Sequence, residues 1–134
     1  MKKSAHIVLK NGSRFLFHLR DNKRGIPFPN YWALIGGAIE KGEEPLEAII
    51  REASEEICCN AVNIEFITTL SYYHSSNKTH YEVYLFKGNI KEKLSEITLT
   101  EGKKIKYFKL SDLNHLRFPA FLKKYILSNE EKFI

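Results

Sequence analysis

Cysteine is nearly absent: the chain has two, Cys58 and Cys59, side by side. Adjacent cysteines rule out a disulfide framework, and nothing supplies a second pair of ligands for a zinc site. Long apolar runs are missing as well. None approaches the roughly 20 residues that a membrane-spanning helix needs. The opening MKKSAHIVLKNG has neither the apolar stretch nor the cleavage site of a secretory signal. The expectation is a cytoplasmic protein with no membrane partner. Repeats, linkers and low-complexity tracts are also lacking. The 134 residues are therefore expected to form a single domain, 1–134, long enough to bury a core without staples.

What remains is an ordinary globular composition, 43% apolar and 28% charged. The formal charge of +5 suits a protein that steers phosphate-bearing molecules toward a local acidic site. Nucleic acid is the competing partner. The lysines are spread over both ends rather than gathered in one dense run, and the tightest group, Lys103, Lys104 and Lys106, reads equally as a solvated strand edge. A dedicated nucleic-acid function is not expected.

Periodicity and turn residues set the organisation. Residues 5–10 and 13–19 read as strands joined at Asn11-Gly12, a short hairpin signal. A loop over 20–31, carrying Gly25, Pro27 and Pro29, leads to an extended piece at Tyr31–Ile35 and then a turn at Gly36-Gly37. Val62–Leu70 and Thr79–Lys87 alternate as strands do, with a polar connection at Ser75–Lys78. Ile105–Leu110 is a further strand. Ser111 or Asp112 can cap a helical stretch reaching Leu127, which Pro119 divides in two. The fold class is α+β, a mixed sheet with helices on its faces.

The segment Gly37–Cys59, GAIEKGEEPLEAIIREASEEICC, carries the chemistry. A helix over about 45–57 is announced by Pro45 in the first turn, with Glu44 at the N-cap and Glu47 near N3. Leu46, Ile49, Ile50, Ala53 and Ile57 recur at helical spacing and mark the packed face. The carboxylates are expected to aim away from the core. Glu52, Glu55 and Glu56 are spaced i, i+3, i+4 and share one face. Like charges so placed oppose the helix by a few tenths of a kcal/mol per pair. A divalent cation would relieve them, since carboxylate oxygens are the ligands Mg²⁺ prefers. The plainer reading is a solvated acidic face.

Gly37, Glu43, Arg51, Glu52, Ala53, Glu55 and Glu56 fall in register with G-x5-E-x7-R-E-U-x-E-E-x-G-U, U being apolar. The chain thus resembles the Nudix family of MutT-like hydrolases. Trp32 before the Gly36-Gly37 pair and the later Glu101-Gly102 pair extend the likeness. Two positions depart from it: Cys58 stands for the box's late Gly, and Ile35 for the Pro before the double Gly. A Cys at positive φ costs roughly 1 kcal/mol. Alternatively the helix overruns to Asn60, which tolerates that backbone better.

The resemblance implies an α/β/α sandwich and Mg²⁺-dependent (or Mn²⁺-dependent) hydrolysis of a nucleoside diphosphate linked to another group. By motif position, Glu52, Glu55, Glu56 and the Gly36 carbonyl look like metal ligands. Glu43 and Arg51 look like a structural pair tying loop to helix. The general base stays open between Glu52 and Glu101, the latter resembling a mobile-loop Glu that enters the site with substrate. Arg20, ending the second strand, sits where MutT-like proteins bring a cation to the phosphates, though a solvent-facing Arg reads as well there. Tyr31 and Tyr72, with Tyr73 and Phe121, are candidates for base stacking or for core. His74 and His80 are weaker substrate candidates, and Glu82 interrupts an apolar strand for no legible reason.

The activity this suggests is cleavage of a (deoxy)nucleoside triphosphate to monophosphate and pyrophosphate. ADP-ribose or nucleotide-sugar hydrolysis is the alternative, and RNA-end processing would want a basic channel not evident here. A sensing module that binds a nucleotide without cleaving it is the rival class, but such a module would be expected to lose a box glutamate, and none is lost. Homodimers are common in the family, yet no interface is legible.

Overall fold

Alternation along the first strand decides the layering. In a computed structural model that describes residues 1–134, β1 (Lys2–Asn11) sends Ala5, Ile7 and Leu9 into one apolar cluster and Val8 into another. The period of two puts those clusters on opposite faces of the sheet. The first is closed by Ala48, Ile49, Ala53 and Ile57 of α1 (Pro45–Ile57). The second is closed by Leu122 and Ile126 of α2 (Ala120–Ser128), with Phe118 and Phe133. The result is two cores separated by one mixed sheet, an α+β fold with a helix on each face.

The other strands are β2 (Arg14–Leu19), β3 (Trp32–Ala33), β4 (Ile35–Ala38), β5 (Val62–His74), β6 (Thr79–Asn89) and β7 (Lys104–Phe108). The sheet runs β3-β2-β1-β6-β5, with β4 also on β1 and β7 on β2. β1 and β6 are parallel, from Lys2↔Tyr81 to Lys10↔Asn89, and the other pairings are antiparallel. β1 pairs with β2 only from Leu9 to Asn11. Its earlier half, Ser4–Ile7, turns to β4 instead. β1 and β2 therefore splay apart, and β3 and β4 pair into the space between them, which sets Gly36 and Gly37 beside the end of β2. No helix is long and apolar enough to cross a membrane.

The expected strands are all present, β5 and β6 running on to His74 and Asn89. Pro119 does divide the C-terminal stretch: a 3₁₀ turn at Leu110–Asn114 precedes it, and α2 starts just after it. Asp112 takes the third position of that turn, accepting from the Lys109 N–H, rather than the cap. Two expectations fail. Gly36-Gly37 is not a turn but part of β4, opposite His6 and Ala5. Leu46 and Ile50 are not core, being 46% and 51% exposed. The buried arc of α1 is centred between Ile49 and Glu56, which leaves those two at its margin.

Candidate active site

The position of α1 is fixed at both ends. Its start is capped by the third helical residue, the Glu44 N–H donating to Glu47 Oε1 at 2.9 Å with Pro45 in the first turn. Its end is Cys58, left-handed at φ 54° and ψ 35°, with its N–H on the Ser54 carbonyl at 3.0 Å. The helix therefore stops at the family's glycine position and does not overrun to Asn60. A helix so bounded holds Glu52 and Glu56 against β4. The carboxylates do not all aim outward, as expected from the sequence. Glu56 is 5% exposed, and its Oε2 accepts the Gly36 N–H at 2.9 Å. A Cβ on Gly37 would fall 2.7 Å from Glu52 Oε1, closer than real Cβ contacts, so the carboxylate lies directly over Gly37 and a side chain there would displace it.

Arg51 organises the outer side. Its Nε and Nη2 hold Glu43 as a fork, at 2.8 and 3.0 Å, and Nη2 also donates to the Ala38 carbonyl at 3.0 Å. Nη1 reaches Glu52 Oε1 at 3.0 Å and Glu55 Oε2 at 3.1 Å. This bidentate geometry is specific to guanidinium, and it holds the Glu43 carboxyl down at about 2. One residue thus ties together the loop before α1, the end of β4 and two of the box carboxylates. Glu55 stays outside the cleft, its side chain 60% exposed.

The cleft itself is lined by Glu52, Glu56, Glu101, Arg20, Asp21 and His18, with Gly36 and Gly37. Burial, then the nearby Glu52 and Glu101, push the Glu56 carboxyl up to about 8, opposed by the Gly36 N–H and Arg20. Burial also raises Glu52, against the pull of Arg51. Burial lowers Arg20, with Glu56 and Glu101 opposing. Burial and Arg20 hold His6 at about 3 and His18 at about 4, so both rings are neutral near pH 7. Glu101 is already in the cleft rather than waiting outside it on a loose loop.

Carboxylates made reluctant to ionise by burial and by one another are what a divalent cation would relieve, and the donors are oxygens throughout, as Mg²⁺ and Mn²⁺ prefer. The chain therefore fits the metal its motif implies. No three acidic, histidine or cysteine side chains lie close enough together to grip an ion, and Arg51 holds Glu52 and Glu55.

Next to the cleft lies an apolar cavity of about 200 Å³. Its walls are aromatic: Tyr72 and Phe121 stack at 4.8 Å and 11°, and Phe28 lies 5.1 Å from Tyr72. Ser4, His6, Tyr81 and Val83 also line it. His6 Nε2 is 3.2 Å from Ser4 Oγ, and its enclosed Nδ1 has no partner. Arg20, Gly37 and Ala38 belong to both compartments, and the buried Arg20 Nε is also unpartnered.

Of the stacking candidates, the structure brings Tyr72 and Phe121 into the cavity but not Tyr31. Tyr31 packs on Phe28 at 5.4 Å, under Arg117 at 5.0 Å. Tyr73 packs against His80 at 4.6 Å, the rings tilted by 48°, away from the cavity, and His74 Nδ1 accepts from the Asn77 N–H at the hairpin tip. Glu82 accepts the Tyr84 hydroxyl at 2.5 Å and lines neither compartment. Phe28, His6 and Tyr81 were not read from the sequence. The available signals were an aromatic between two prolines and a polar Ser4/His6 pair alternating along an otherwise apolar strand.

Comparisons with known proteins agree with this geometry. A family profile described as the NUDIX domain matches residues 2–128. The nucleoside triphosphatase NudI of Salmonella schwarzengrund (strain CVM19633) is 43% identical over 51 residues, 38% of this chain. That match spans only 35% of the relative's length. The 8-oxo-dGTP diphosphatase of Buchnera aphidicola subsp. Schizaphis graminum is 24% identical over 115 residues, covering 85% of this chain and 81% of that one. Among solved structures, a MutT protein from Methanosarcina mazei Go1 superposes with a TM-score of 0.85 at 17% identity, over 98% of this chain and 94% of that one. The NUDIX domain of Shewanella oneidensis NrtR, complexed with ADP ribose, gives 0.78 at 16% identity, over 98% and 88%. Identities this low establish shared fold alone. The family profile reaches nearly end to end, and this chain belongs to the Nudix family of hydrolases.

Proposed function

We propose that the protein is a Mg²⁺-dependent pyrophosphohydrolase that cleaves a (deoxy)nucleoside triphosphate to monophosphate and pyrophosphate. The observation that carries this reading is the adjacency of the two compartments through Arg20. An aromatic cavity accepts a base by stacking, a carboxylate cleft accepts metal-bound phosphates, and one guanidinium serves both. Glu52 and Glu56, with the Gly36 carbonyl, would hold the metal from α1 and β4, and Glu55 would join them once released from Arg51. When bound, the metal supplies charge neutralisation on the phosphates and a more acidic water. Arg20 orients the phosphate chain; with His6 and His18 neutral, the other cation lining the cleft is Lys23, at its exposed edge. Glu101 receives the proton of the attacking water, with Glu52 as the other carboxylate in reach of the same cleft. The named activities of the two curated relatives, both on nucleoside triphosphates, support the same class. ADP-ribose hydrolysis is the second reading, favoured by the ADP-ribose complex of the NrtR domain.

A panel of nucleoside triphosphates, ADP-ribose and nucleotide sugars, incubated with Mg²⁺ or Mn²⁺ and resolved by chromatography, tests this directly. Monophosphate and pyrophosphate in equal amounts are expected from at least one triphosphate. Release of orthophosphate, or turnover confined to ADP-ribose, contradicts the reading. Metal-independent binding with no turnover of any compound would make the chain a sensor.

A further inference from the structure

The C-terminal end of α1 raises a question that the box residues do not answer. The last carbonyls of a helix have no partner within it, and α1 carries no basic residue in its last turn. The carbonyls of Glu55 and Glu56 are nonetheless satisfied, from far along the chain. The Thr100 N–H donates to the Glu56 carbonyl at 2.9 Å. The Thr100 hydroxyl lies 2.5 Å from the Glu55 carbonyl and 3.2 Å from that of Glu56. The neighbouring residue is Glu101, which lines the cleft.

A second anchor holds the other side. Gly102 is left-handed at φ +86°, where a Cβ would sit 2.8 Å from the Leu19 carbonyl oxygen and 3.1 Å from His18 Nδ1. Lys103 then donates its N–H to Leu19 at 2.8 Å. Glu101 is thus suspended between the end of the helix that carries Glu52 and Glu56 and the end of the strand that leads to Arg20.

We propose that Thr100 is a positioning residue for hydrolysis: its hydroxyl locks the Glu101 loop to α1, so that Glu101 keeps register with Glu52 and Glu56. This rests on the reading of Glu101 as the proton acceptor, and the variants below separate the two. Thr100→Val keeps the shape and the backbone N–H but removes the hydroxyl donor, whereas Thr100→Ser keeps the donor.

Steady-state kinetics are measured for T100V, T100S, E101Q and T100V/E101Q on the best triphosphate of the panel, with melting curves for each. The expected result for T100V is a kcat lower by about 10–100-fold, the usual effect of losing a group that orients a site ligand. KM should stay within about twofold, T100S should restore most of the rate, and T100V should cost nothing further in the E101Q background. An impaired E101Q beside a T100V of wild-type kcat overturns the positioning role and leaves the Glu101 reading standing. Wild-type turnover by E101Q removes that reading and this proposal with it. A T100V loss that is equally large in the E101Q background shows Thr100 acting through the helix alone, and also overturns the proposal. Should T100V melt too low to assay, the contrast of T100S with E101Q decides: a T100S as slow as E101Q overturns it.

Discussion

At the scale of single residues, Glu56 concentrates the conflict between stability and function. Its burial and its carboxylate neighbours make ionisation costly, yet a metal ligand must be ionised. Glu56→Gln should therefore divide the two properties. The amide oxygen can still accept the Gly36 N–H, and the costly charge is gone. In metal-free protein at pH 9, stability should rise by on the order of 1–3 kcal/mol, while hydrolysis at saturating Mg²⁺ falls to background. Urea melts and the triphosphate assay check both halves, and an active or a destabilised variant contradicts the assignment. The box residues were legible because their spacing is rigid on a helix. The inward aim of Glu56 was not, since hydrophobic periodicity scores a glutamate as surface wherever it lies. Tyr31 and Phe28 exchanged places for a related reason. Phe28 and Asn30 take left-handed backbones, at φ 51° and 62°, a conformation a bulky aromatic seldom adopts. Sequence alone gives no sign of which aromatic such a loop turns inward.

At the scale of elements, the start of α1 is legible because its cap and its proline agree, whereas its end stayed open between Cys58 and Asn60, and its periodicity counted the exposed Leu46 and Ile50 as core. Cys58 supplies a test of the remaining irregularity. A left-handed Cys stores roughly 1 kcal/mol that glycine would not. Cys58→Gly should accordingly raise stability by about 0.5–1 kcal/mol without changing kcat, as an exposed side chain leaves no cavity. A drop in the urea midpoint would show that some contact of the thiol outweighs the strain. The strands were found by alternation, but the place of Gly36-Gly37 within β4 was not. Glycine pairs signal turns, whereas here they serve a strand: Gly37 gives space under Glu52, and Gly36 combines a φ of +155° with the β1 backbone pressed against it.

For the whole molecule, three buried groups predict how the metal-free fold responds to pH. His6 and His18 have folded values of about 3 and about 4 against an ordinary 6.5. As pH falls below 6.5, the unfolded chain takes up protons that the folded one refuses, and stability declines. Glu56 runs the other way, with a folded value of about 8 against an ordinary 4.5. Between pH 4.5 and 8 the folded chain keeps a proton that the unfolded chain has already lost, and stability declines as pH rises until the folded chain releases it. The two slopes cross near pH 6.5, where stability without metal should peak. On the proposed metal reading, saturating Mg²⁺ should flatten the alkaline side by favouring the ionised carboxylates. Urea midpoints between pH 5 and 9, with and without Mg²⁺, would show the peak; a steady rise through pH 8 without metal would contradict it.

The splaying of β1 from β2 also has a dimensional meaning. The strands part where Leu9 leaves β2 as a partner, and Arg20 stands between a cavity for one ring system and the cleft for phosphates. On the proposed reading such a site is a ruler with its zero at the base. Counted from there, the bond that reaches the carboxylates would be set by the distance across one guanidinium. The number of phosphates a molecule carries would then decide whether it is cut, and the identity of its base only how long it stays.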